Sequence, residues 1–103
     1  MRTLKDHQGR AVRLTDERLA HILEHPEMAD LESAVVETLE HPSLVVQSRS
    51  DSFAELSYRY FLGTRVGDKW LCVVVKYSAD DAFVMTAYLT DQPKKGEQLW
   101  PIK

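Results

Sequence analysis

At 103 residues the chain is near the common size of one domain, and residues 1–103 are expected to fold as a single unit without help from a metal or disulfide. A hydrophobic share of 44% and a charged share of 28% exclude a disordered chain, and a net charge of −3 with pI near 5.8 excludes a protein that coats nucleic acid by bulk charge. The lone Cys72 cannot close an internal disulfide, which agrees with a reducing, cytoplasmic setting; the N-terminus shows no apolar signal region, and no stretch nears the ~18 apolar residues of a membrane span.

Residues 3–5 and 11–14 flank Asp6-His7-Gln8-Gly9-Arg10, which predicts a short β-hairpin with Gly9 supplying a positive φ and His7 solvated in the turn. Thr15 offers an N-cap oxygen to a first helix, with Asp16 and Glu17 in the turn where the dipole favours anions; Leu19, Ile22 and Leu23 form its apolar stripe, and Pro26 ends it. A second helix capped by Asp30 carries Leu31, Ala34, Val35, Thr38 and Leu39 at core-facing spacing and stops at Pro42. Strands follow over residues 43–48, 55–62, 70–77 and 83–90, separated by polar or Gly-containing turns. The tail, residues 91–103, reads as a loop with one short strand ending near Trp100. The expected fold class is therefore α+β: two N-terminal helices packed on a four-stranded antiparallel sheet, preceded by a hairpin.

Alternation sorts the strand residues by face. Leu56, Tyr58, Tyr60 and Leu62 oppose Ser57, Arg59 and Phe61; Leu71, Val73, Val75 and Tyr77 oppose Trp70, Cys72, Val74 and Lys76; Phe83, Met85, Ala87 and Leu89 oppose Val84, Thr86, Tyr88 and Thr90. If the more apolar row of each strand meets the helices, Arg59, Lys76, Thr86 and Tyr88 share the other face. Two cations, a hydroxyl and a phenol suit an anionic ligand, Arg59 as a two-pronged clamp and Lys76 as a mobile point charge. The same row also fits the solvated face that antiparallel sheets commonly carry.

On the first helix Arg18, His21 and His25 share a flank at i, i+3 and i+7. Imidazole, with an ordinary pKa near 6.5, is the usual acid or base near neutrality. His25 and His41 also fit a structural role in the last turns of the two helices, where an imidazolium complements the dipole; His21 lies further inside. His21 and His25 are four apart but lack the glutamate of a zinc helix, Ile22 following His21, so neither a metal nor another cofactor is expected. Trp70 and Trp100 offer rings for base stacking, core or edge packing being the commoner fate of each.

Several short segments, in order along most of the chain, resemble the phage-associated branch of the barnase–EndoU–colicin–RelE-like (BECR) nuclease superfamily: residues 9–15, 21–26, 39–42, 57–61, 71–75, 85–88 and 96–100. The motifs are His21-Ile22 with His25-Pro26-Glu27, His41-Pro42, Thr86-Ala87-Tyr88, and Gly96-Glu97-Gln98-Leu99-Trp100. The resemblance implies a barnase/RelE-like fold and a metal-independent endoribonuclease of toxin type, acting by 2′-OH attack on the phosphodiester. Its partners would be an RNA substrate and an antitoxin or immunity protein. It implies His21 as acid/base, Arg59 and Lys76 as phosphate clamp and Thr86 as a hydrogen-bond donor, with Arg18, His25, Tyr88 and Trp100 binding substrate. The alternative is a non-catalytic protein-binding module on the same scaffold.

Overall fold

The hairpin forms where Gly9, at φ 81°, lets the chain reverse between β1 (Arg2–Lys5) and β2 (Ala11–Leu14). Thr15 Oγ1 then accepts from the Arg18 N–H at 3.1 Å and starts α1 (Asp16–Leu23). Pro26 does not simply stop that helix: it opens a single 3-10 turn, Pro26–Met28, whose Met28 is buried. Helix α2 (Glu32–Glu40) begins without a side-chain cap, at Leu31 rather than Asp30, and buries Ala34, Val35, Thr38 and Leu39. Four longer-range elements follow, β3 (Leu44–Gln47), β4 (Ala54–Thr64), β5 (Gly67–Tyr77) and β6 (Ala82–Thr90), and the chain ends on β7 (Gln98–Trp100). The computed structural model describes residues 1–102. Among these, no helix is long and apolar enough to cross a membrane.

The seven strands of the described residues belong to one mixed sheet, in the order β1-β2-β6-β5-β4-β3-β7. This corrects the expectation of two helices on a four-stranded antiparallel sheet. The hairpin joins the sheet through a parallel contact, Arg13 opposite Phe83, and β7 pairs antiparallel outside β3. Both additions are contacts between segments far apart in sequence, which a local periodicity does not encode.

The helices cover one face, where Leu71, Val73, Val75, Val84 and Ala87 meet Ile22, Met28, Val35 and Leu39 in the main core. The other face is covered as well. Residues 91–97 cross it on the way from β6 to β7, and under them Val46, Leu56, Tyr58 and Cys72 make a second, smaller core. The Lys94 N–H donates to the Tyr58 hydroxyl at 3.0 Å and the Gln47 N–H to the Glu97 carbonyl at 2.8 Å, pinning this crossing. Gly96 packs so closely on the Gln47 carbonyl that a Cβ there would overlap it.

The hairpin tip closes over one end of the helix-facing side. Asp6, its side chain fully buried, accepts from the Gln8 and Arg10 N–H groups, from Arg10 Nε at 2.6 Å and from the Tyr77 hydroxyl at 2.7 Å. Arg10 stacks over the Tyr77 ring and reaches Glu55 at 3.1 Å. His7, expected in solvent, is half-buried, its Nδ1 without a partner and its ring 5.4 Å from that of Trp100. Elements from both edges of the sheet thus touch at this clasp.

Candidate functional site

The register decides which predicted site residues meet. Arg59 lies opposite Leu71, on the helix-facing side, whereas Lys76 pairs with Ala54 and Phe83, and Thr86 with Val74, on the side crossed by residues 91–97. Arg59 donates to the His41 carbonyl at 2.7 Å and lies 3.4 Å from Glu37, so it closes the C-terminal end of α2. Lys76 pairs with Asp51 at 2.9 Å, and this ammonium, with the Phe53 N–H, holds the Asp51 carboxyl below its ordinary range. His21 is exposed on the outer flank of α1, 3.5 Å from Glu24, and shares a shallow hollow there with Arg18. Trp100 stands at the clasp beside His7. These five residues therefore lie in four separate places.

Three other predicted residues do converge. His25, Thr86 and Tyr88 line one cavity of about 450 Å³, together with Glu27, Met28, Val66, Lys69 and residues 87, 89, 90 and 91. Both faces of β6 contribute: Thr86, Tyr88 and Thr90 from one, Ala87 and Leu89 from the other. A hollow on a sheet face shows one parity of a strand; this one shows both, so it lies along the strand's outer edge. That edge is free because β2 pairs with β6 at one position only, before the chain turns away into α1.

The cavity's opposite wall is residues 25–28. His25 lies beyond the α1 cap, Glu24, in extended conformation, so its ring is not in the last helical turn as the dipole reading requires. Its Nδ1 is 3.9 Å from Glu27. Arg65, on the β4–β5 turn, donates to the Pro26 carbonyl at 3.3 Å and lies 3.6 Å from Asp30, holding this wall against the hairpin. Lys69 supplies the cation of the cavity and is paired with Asp91. Sequence marks Glu27 only as the last residue of the His25-Pro26-Glu27 motif and does not mark Arg65 or Lys69; Lys69 sits in the Val66-Gly67-Asp68-Lys69 segment, which reads as a plain turn signal.

Tyr88 reaches from the cavity into the second core. Its hydroxyl is buried without a well-formed partner, and burial, with the neighbouring Cys72 and Tyr58, pushes its pKa up. Burial likewise raises Tyr58 to about 12 and pushes the Cys72 thiol up, which disfavours the reactive thiolate. Among the described residues no three His, Cys, Asp or Glu side chains cluster as a metal set would. The arrangement offers an imidazole, an ammonium and two threonine hydroxyls around one open cleft. Comparison with family models, with curated proteins and with solved structures returns no match to this chain.

Proposed function

We propose that the domain is an endoribonuclease of toxin type whose phosphodiester site is the cleft between β6 and residues 25–28. One observation carries the reading: the His25-Pro26-Glu27 and Thr86-Ala87-Tyr88 motifs, far apart in sequence, line the same cavity. In this reading the Nδ1 side of His25 faces Glu27, which orients the ring and leaves Nε2 toward substrate. Nε2 takes the proton from the ribose 2′-OH; the 2′-oxygen forms its bond to phosphorus as the bond to the 5′-oxygen breaks. Lys69 exchanges Asp91 for a non-bridging phosphate oxygen, and the Thr86 and Thr90 hydroxyls donate to the charge that builds there. The departing 5′-oxygen takes its proton from the Lys69 ammonium, leaving a 2′,3′-cyclic phosphate and a 5′-hydroxyl.

The test is incubation with single-stranded RNA in EDTA, with end-group analysis of the products. His25→Ala and Lys69→Ala are each expected to lower the rate by about 10²–10⁴-fold, whereas His21→Ala, on the far flank of α1, leaves it within a few-fold. Absence of cleavage by the wild type, or full activity in both cleft variants, removes this reading.

A second reading, a non-catalytic protein-binding module, is favoured by the free outer edge of β6. Unpaired backbone groups on such an edge accept an extended segment of a partner as an added strand. It predicts no RNA cleavage, and a stoichiometric complex in which the amides of residues 85–90 gain hydrogen-exchange protection.

A further inference from the structure

The cleft opens onto an aromatic surface that the proposed chemistry does not use. Tyr60 on β4, Trp70 on β5 and Thr90 on β6 stand directly opposite one another, so they form one row across the sheet on the side away from the helices. Thr90 lines the cleft. With strands about 4.8 Å apart, the Trp70 ring begins one strand from the cleft and Tyr60 one strand further. The Tyr60 and Trp70 rings lie 5.3 Å apart at 64°, and Tyr58, on the same face, meets Trp70 edge-on at 6.5 Å. Tyr60 nevertheless keeps 46% of its surface exposed, and Leu62 and Val66 nearby are more open still.

Cations adjoin this surface. Lys94 and Lys95 lie on the segment pinned to the Tyr58 hydroxyl, both exposed, and neither pairs with a carboxylate among the described residues. Lys94 Nζ sits 5.9 Å from the centroid of the ring of Tyr88, which lines the cleft and stands in the next row along the sheet, opposite Cys72. A half-exposed Tyr60 ring backed by Trp70, exposed lysines on the segment pinned to Tyr58 and a cleft at one end of the row match the way single-stranded nucleic acids are held: bases stack on rings and lysines meet phosphates. A duplex, its bases already stacked, has no face to offer these rings.

We infer that Tyr60 and Trp70 form a stacking platform for an unpaired base next to the cleaved phosphodiester, so that the substrate class is single-stranded RNA. This rests on the ribonuclease reading for the cleavage step, while the platform itself is a binding claim. The test is fluorescence anisotropy with a labelled single-stranded oligodeoxynucleotide, which lacks the 2′-hydroxyl and is not cut by this chemistry. Tyr60→Ala is expected to weaken binding about five- to a hundred-fold, with Tyr60→Phe within two-fold of wild type and a duplex of the same sequence bound more weakly than the single strand. Lys94→Ala and Lys95→Ala should each lower the salt slope by about 0.7. Thermal melting of the exposed-site variant Tyr60→Ala confirms that it remains folded. Equal binding by Tyr60→Ala and wild type overturns the platform, as does failure of the wild type to bind. Binding through Tyr60 without cleavage of any RNA upholds the platform and removes the ribonuclease reading instead.

Discussion

Replacing Asp6 with alanine probes the clasp that joins the hairpin to the rest of the sheet. The carboxylate is fully buried and accepts four hydrogen bonds, at 2.6–2.9 Å, from the Gln8 and Arg10 N–H groups, Arg10 Nε and the Tyr77 hydroxyl. A hydrogen bond to a charged group is worth about 1.5–3 kcal/mol, and a donor left buried without a partner loses its desolvation energy outright. The Arg10 guanidinium is partly exposed and regains water, which reduces its share. The Tyr77 hydroxyl and the turn amides regain less, so the net loss is about 3–4 kcal/mol, a large part of the ~5–15 kcal/mol of a typical domain. Tyr77→Phe removes one of the four bonds and should cost about 1.5–2 kcal/mol. In urea, with a slope of about 1.5 kcal/mol/M, Asp6→Ala then lowers the midpoint by about 2 M, and the double variant shows less than the sum of the two. A loss under about 1 kcal/mol for Asp6→Ala, or strict additivity with Tyr77→Phe, would refute the claim that these groups act as one clasp.

Acid should weaken the same region in two windows. Burial, aided by Arg10, pushes the His7 imidazole below its ordinary value of 6.5, so its stabilising neutral form is present above that pH and lost as pH falls through the folded value. For Asp6 burial works in the raising direction, but the Tyr77 hydroxyl, the Arg10 and Gln8 amides and the Arg10 charge outweigh it; the carboxyl is held below 3.8, and its contribution is lost as pH falls beneath that. Urea midpoints measured from pH 8 to 2 should fall in both ranges in the wild type, with the upper step missing in His7→Phe. Gly96→Ala, which drives a Cβ into the Gln47 carbonyl, is expected to destabilise by about 1–3 kcal/mol and to expose Cys72 to thiol reagents; an unreactive Cys72 with an unchanged midpoint would contradict the packing of residues 91–97. Arg59→Ala should lose about 1 kcal/mol through the end of α2 and leave RNA cleavage within a few-fold, a hundred-fold fall in rate being the contrary result.

How far the site was legible can be traced strand by strand. Alternation puts Thr86 and Tyr88 on one face, and they share it. Hydrophobicity puts Arg59 with them, because Leu56, Tyr58, Tyr60 and Leu62 are the more apolar row of β4. Both faces of this sheet are covered, however, so hydrophobicity alone does not say which row meets the helices. The polar row does: small Ser57 is buried on the helix-facing side, and Arg59 reaches the end of α2, while Leu56 and Tyr58 build the second core. Lys69 is not legible in the sequence, because nothing local distinguishes a turn lysine that lines a cleft from one in solvent.

Short-range chemistry in the chain was sufficient for the elements themselves. The Thr15 cap, the Gly9 reversal, the apolar stripe of α2 and the alternation of β5 each depend on neighbours a few residues away, and each appears where the pattern places it. Tertiary structure alone decided the parallel junction of β2 with β6, the crossing of residues 91–97 and the cleft at the β6 edge. Those features arise from register and burial between segments dozens of residues apart, where many pairings satisfy the same local periodicity and only the packed whole selects one.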